Sequence, residues 1–245
     1  MFQRACSKIV DKERKRLGIG TLSEKTTHAV LKNYLIPKEE FHEVKCEGYV
    51  ADILYEGEIM EIQTANFNLL RGKLAAFLPR YDVTVVYPIP HIKWVLWIDP
   101  DTGAISNRRK SPKTGNYYQV FPELYRIKMF LDNPNLHFRF ILIDVEEYRL
   151  LNGWSRDRKK GSSRYDRIPV DIQDELMINA PEDYRVFMPC GLKRPFTSRD
   201  YQLAARLSRK LAQTALNILS HLGIVKRIGR GKEGFLYEES ISNIV

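Results

Sequence analysis

Asp52 and Glu61 stand inside otherwise apolar runs, in the stretch GYVADILYEGEIMEIQT that spans residues 48–64. It reads as two short strands joined at Glu56-Gly57. With those residues as the turn, Leu54 faces Ile59, Asp52 faces Glu61 and Val50 faces Gln63. Strand side chains alternate between faces, so Asp52, Glu61 and Gln63 share one. Opposed residues hold their Cβ atoms about 4.5–5.5 Å apart, a spacing at which two carboxylates repel. A divalent cation between them removes the repulsion, and oxygen ligands so spaced suit magnesium or manganese. The plainer alternative gives one acid to solvent or to a Lys or Arg partner. Two acids in register, followed by an amide, favour the metal. If repulsion dominates without metal, replacing either acid leaves metal-free stability level or raises it.

The elements that must hold this pair are legible in the pattern. TLSEKTTHAVLKNYLIP reads as a helix, with Thr21 or Ser23 as cap and Pro37 beyond its end. EFHEVKC is a short strand, and the acid-bearing hairpin follows. NFNLLRGKLAAFLPRY is a second helix, with Asn66 as its cap or as a phosphate contact, Gly72 weakening it and Pro79 near its end. DVTVVYPIP and IKWVLWID read as two buried strands. A helix is expected at PELYRIKMFLDN. HFRFILIDVEEYRLL is a strand running into a turn or helix, and residues 170–190 read as a connector with short helical pieces. Helix, strands, helix, strand make a mixed α/β core.

The chain has 245 residues, 44% of them hydrophobic, enough for one large domain or one medium and one small. Its formal net charge of +9 points to a polyanionic partner, commonly nucleic acid, or to a basic solvated surface. Cys6, Cys46 and Cys190 are too scattered for a disulfide framework or a zinc site, and fit a reducing, cytoplasmic setting. Residues 1–20 hold no long apolar segment of the secretory kind, and no run is long enough to span a membrane.

The acid-bearing stretch and its neighbours resemble the PD-(D/E)XK nuclease superfamily, the restriction-endonuclease-like fold. The resemblance covers about residues 20–90: Glu24 on a helix, Asp52, then Glu61-Ile62-Gln63, a helix and a further strand. It implies that Asp52 and Glu61 bind Mg2+ or Mn2+, joined by the carbonyl of Ile62 and by Glu24. It also implies metal-activated water attacking a phosphodiester. Gln63 stands where the pattern has lysine, and some members carry glutamine there. In others the lysine comes from the next helix, a place that Lys73 or Arg71 can fill here. Asp52, Glu61, Gln63 and Lys73 are thus the expected catalytic set.

Two basic stretches can grip phosphates or remain solvated loops. One is NRRKSPKTGNYY, with Arg108, Arg109, Lys110 and Lys113. The other is RDRKKGSSRYDR, with Arg158, Lys159, Lys160 and Arg164. Farther on, Thr197 or Ser198 can cap a helix, and SRKLAQTALNILSHLG gives a second one ended by Gly223. A basic hairpin follows. This tail resembles a winged helix-turn-helix, which implies DNA contact through Arg209, Lys210 and Gln213 on the second helix and Lys226, Arg227 and Arg230 on the wing. Such modules also serve protein–protein contacts.

The sequence therefore leads to a restriction-endonuclease-like mixed sheet flanked by helices over residues 1–190 and a winged helix over 191–245. The expected function is metal-dependent DNA cleavage, with pairs of copies compatible with cutting both strands. The rival is a DNA-binding scaffold whose nuclease core is inactive.

Overall fold

The computed structural model describes residues 1–17, 25–153, 161–232 and 234–240, with the backbone alone over residues 10–17 and at residue 25. Two helices come first, α1 (Phe2–Leu17) and α2 (Lys25–Leu35). Then follow β1 (His42–Cys46), β2 (Tyr49–Tyr55), β3 (Glu58–Ile62), α3 (Arg71–Phe77) and β4 (Asp82–Ile98). The short β5 (Arg109–Lys110), α4 (Phe121–Arg126), β6 (Leu136–Leu150) and β7 (Ser163–Ile178) complete the main body.

Seven strands form one mixed sheet in the order β1-β2-β3-β4-β6-β7, with β5 on β4. The pairs β3–β4 and β4–β6 are parallel; the others are antiparallel. Two turns set the register on the β1 side. Glu47-Gly48 have φ of 47° and 78°, and Glu56-Gly57 have 50° and 85°. Both central residues of a type I′ turn need positive φ, which glycine adopts freely. The second turn puts Leu54 opposite Ile59 and Ile53 opposite Met60, the register read from the sequence.

Helices cover both faces of the sheet. In α1, Phe2, Ala5, Cys6 and Ile9 fall at helical spacing and are buried, with Val30 and Leu31 of α2, against Ile53, Ile62, Val86, Ile141 and Val145. On the other face Leu74 and Phe77 of α3 and Phe121 and Leu124 of α4 pack with Ile59, Val83, Val85, Phe138 and Phe140. Asp52 and Glu61 belong to this second face.

Several elements differ from the sequence reading. The two expected strands at residues 82–99 are one strand, β4, which kinks where its register shifts between Pro90 and Lys93. Asp144 accepts the Ile92 N–H at 2.9 Å there, so a side chain replaces the interrupted ladder. HFRFILIDVEEYRLL stays in strand conformation through Leu150. The first part of the expected connector at 170–190 is the end of β7, which runs to Ile178, and a 3-10 helix follows at Pro181–Phe187. The second helix is a 3-10 turn, Phe67–Leu70, leading into a short α3. Asn66 does not cap it: its side chain accepts from Arg126 at 2.7 Å, and Glu123 takes the Phe67 N–H at 2.8 Å.

The C-terminal part holds β8 (Phe196–Thr197), α5 (Ser198–Ala204), α6 (Arg209–His221), β9 (Val225–Gly231) and β10 (Gly234–Glu239). Thr197 and Asp200 form a capping box on α5, and Ser208 caps α6 by accepting the Leu211 N–H. The three strands pair in the order β8-β10-β9. The core does not stop at this part. Tyr201, Ala212, Leu216 and Leu219 share one buried cluster with Phe121, Leu124 and Phe187.

Candidate functional site

The Glu56-Gly57 turn brings the two acids to the end of the β2–β3 pair as the sequence requires. Glu61 is only 2% exposed. Its Oε1 accepts the Asp52 N–H at 3.3 Å, and Asp52 Oδ2 accepts the Ile62 N–H at 2.8 Å. Each acid thus has a main-chain partner across the strand pair. The third contact comes from α3, where Lys73 Nζ stands 2.7 Å from Glu61 Oε2.

These contacts oppose one another electrostatically. Burial and the neighbouring Asp52 raise the Glu61 carboxyl from 4.5 to about 7, although the hydrogen bond and charge of Lys73 pull it down. A carboxyl held near neutrality can exchange a proton at physiological pH, and it gains from any added positive charge.

Gln63 does not join the pair, since its amide donates to the Ala65 carbonyl. Arg71 is turned away too, with Nε donating to the Arg126 carbonyl at 2.7 Å. Of the cations considered for this place, Lys73 is the one that reaches it. Glu24 lies outside the described residues. Among the described residues no group of three or more His, Cys, Asp or Glu gathers as a metal cluster.

The expected phosphate-binding residues fall in separate places. Arg109, Lys110 and Lys113 are exposed, and Arg108 pairs with Glu146 at 3.2 Å while lying 3.9 Å over the Trp94 ring. Arg164 is exposed on β7, whereas Arg158, Lys159 and Lys160 lie outside the described residues. Arg209, Lys210 and Gln213 are exposed on α6. Lys226 pairs with Glu238, and Arg227 stacks 3.6 Å over Phe235 with Arg230 nearby. A groove of about 360 Å³ runs between α6 and the hairpin, lined by Arg209, Gln213, Asn217, Arg227 and Phe235.

A second buried acid escaped the sequence reading. Glu147, 1% exposed, takes Arg167 at 2.8 Å, Arg149 at 2.6 Å and Lys93 at 3.5 Å. Burial alone would raise its carboxyl, but Arg167 first, then Lys93 and Arg149, overcome this and hold it at about 2. These contacts tie β4, β6 and β7 together, a structural role. Its pattern was hidden because its cations come from three strands.

The family described as "Domain of unknown function (DUF8091)" matches residues 25–179, which include Asp52, Glu61 and Lys73 and end just after β7. A protein of Treponema pallidum (strain Nichols), described as an uncharacterized protein, is 31% identical over 168 residues. That stretch is 68% of this chain and 64% of the relative's own length. No solved structure matches.

Proposed function

The chain belongs to the family described as "Domain of unknown function (DUF8091)", a description that names no activity, and we propose from the site that it is a metal-dependent DNA nuclease. One observation carries this reading: two carboxylates in register at a strand-pair end, one of them buried, with a helix-borne lysine 2.7 Å away. The order of these parts resembles that of the PD-(D/E)XK superfamily, with Lys73 supplying the charge that Gln63 lacks.

The donors fit a hard divalent ion. Burial and Asp52 already press the Glu61 carboxyl up to about 7, and a cation between the acids would relieve that pressure. Asp52, Glu61 and the Ile62 carbonyl would hold magnesium or manganese. The ion would polarise a phosphodiester and lower the pKa of a bound water. Lys73 places a fixed positive charge beside Glu61, where it can steady negative charge developing on a phosphate. Asp52 holds the Ile62 amide, which keeps the end of β3 in register.

The order β8, α5, α6, β9, β10 and the pairing β8-β10-β9 support a winged helix-turn-helix. In this reading residues 191–245 bind DNA through α6 and the hairpin, and residues 1–190 bear the acids. The exposed Arg209, Lys210 and Gln213 suit that role. Cleavage of both strands would call for two copies. No helix among the described residues is long and apolar enough to cross a membrane.

A second reading is favoured by the same lysine. Lys73 already pairs with Glu61, so part of the charge of the acid pair is balanced without an ion. The protein would then bind DNA without cutting it. Incubation with supercoiled, linear, single-stranded and branched DNA, with magnesium or manganese, separates the two. Metal-dependent cleavage by the wild type that Asp52→Ala abolishes supports the nuclease. Inert wild-type protein on every form, with binding retained, supports the scaffold.

A further inference from the structure

The strongest feature outside the site is the edge of β4. β6 occupies one edge of β4 from Val83 to Ile98. On the opposite edge β3 pairs only with Asp82–Val86, and the Gln63 N–H adds one bond to the Val86 carbonyl. Farther along that same edge runs the basic segment. Ile105 bridges Ile98, Arg109 and Lys110 pair with Val95 and Trp94, the Ser111 N–H reaches Lys93, and the Gly115 N–H reaches His91. The acid-bearing strand and the basic segment therefore lie end to end along one strand.

The segment is held firmly. A Cβ on Gly115 would stand 2.0 Å from the Pro90 carbonyl oxygen, so only glycine lets the loop close on β4. Arg108 is clamped over Trp94 and paired with Glu146.

Register also fixes which cations face the acids. Glu61 lies beside Val85, and Val85 beside Phe138. Lys110 lies beside Trp94, and Trp94 beside Glu146. Phe138 and Glu146 are both even positions of β6, and at the kink β4 advances three residues while β6 advances two. β6 thus alternates without interruption, and Lys110 shares a face with Glu61. Arg109, beside Val95 and Glu147, is on the reverse face. Among the described residues no carboxylate pairs with Lys110.

From Phe138, level with Glu61, to Glu146, level with Lys110, is eight steps along β6, roughly 26 Å at about 3.3 Å each. Phosphates of one strand of a duplex recur about every 3.4 Å along the axis, so this spans roughly 8 base pairs. We infer that the substrate is duplex DNA lying along the β4 edge, with Lys110, supported by Arg108, holding a phosphate about 8 base pairs from the acid pair. This inference rests on the nucleic-acid reading of the site and adds the substrate's form and direction.

Fluorescence anisotropy of the full chain in EDTA tests it, using labelled duplexes of 6 and 20 base pairs and a 20-nucleotide single strand across a salt series. Lys110→Ala should flatten the salt slope on the long duplex by about 0.9, the value for one phosphate contact, and leave the short duplex unchanged. Arg109→Ala, with the same charge and exposure on the other face, should bind as wild type. Equal effects of Lys110→Ala and Arg109→Ala, equal loss on both duplex lengths, or the same loss on the single strand would each overturn the placement. Wild-type binding that Lys110→Ala leaves untouched removes this inference alone. Wild-type protein that binds no DNA removes both it and the reading beneath it.

Discussion

Nζ of Lys73 stands 2.7 Å from Oε2 of Glu61, a contact between α3 and β3 that joins a half-buried cation to a buried acid. In the proposed nuclease reading Lys73 supplies the positive charge beside the acids, while the Gln63 amide donates to the Ala65 carbonyl.

Lys73→Ala should therefore be the damaging change in a plasmid-cleavage assay. Loss of one well-placed donor costs roughly 10²–10³ in rate. Gln63→Lys should change the rate by no more than a few-fold, because the charge is already supplied. A large gain from Gln63→Lys, with little loss from Lys73→Ala, would reverse the assignment.

The raised Glu61 carboxyl predicts how stability varies with pH. Between 4.5 and about 7 the folded chain holds a proton that the unfolded chain has released. This contribution is therefore present below 4.5 and is lost as pH rises through about 7. The full shift corresponds to roughly 3 kcal/mol. Urea unfolding at pH 5 and pH 8 should show a smaller difference for Glu61→Gln than for the wild type. Identical differences would mean that Glu61 titrates normally.

Asp52 has a structural partner as well as a proposed ligand role. The sequence alone led to level or increased metal-free stability on replacing either acid. The Ile62 N–H on Asp52 Oδ2 changes that expectation. Asp52→Ala leaves the amide without this acceptor, at a cost of about 1–3 kcal/mol. Asp52→Asn keeps an acceptor and removes the charge, so it should unfold closer to wild type in EDTA.

A chain ending at residue 190, the domain boundary read from the sequence, should not behave as an independent fold. It uncovers Phe121, Leu124 and Phe187, which are buried against Tyr201, Ala212 and Leu216. It also removes the Tyr201 hydroxyl from the Phe187 carbonyl. Exposed apolar surface of this kind promotes association. The fragment should aggregate or bind a hydrophobic dye; a monomeric fragment with a cooperative transition would show the interface to be dispensable.

Local chemistry was legible where one short segment carried it. The Glu56-Gly57 turn set the register of β2 and β3, so the meeting of Asp52 and Glu61 one step beyond the last paired residues, Ile53 and Met60, followed. The helices from Lys25 and Arg209, and the cap at Thr197, were readable for the same reason. β7 was not, because its three register shifts against β6 break the alternation and Pro169 interrupts it. α1 carries a helical signal in Phe2, Ala5, Cys6 and Ile9, which are buried against α2 and the sheet. The Lys73 contact and the Glu147 cluster depend on distant segments meeting, which spacing alone does not reveal. The bond of Gln63 to the Ala65 carbonyl is likewise invisible in the spacing that singles the residue out.

The packing of α6 on α4 also bears on descent. The family match ends at residue 179, so the C-terminal part looks like an interchangeable attachment. Yet α4, within the matched region, supplies part of the surface that buries α6, and Lys128 just after it bonds Asn217 at 3.0 Å. A graft of this tail onto another member would need the α4 surface to travel with it. A substitution that changes the volume of Phe121 or Leu124 should accordingly call for a compensating change at Ala212, Leu216 or Leu219.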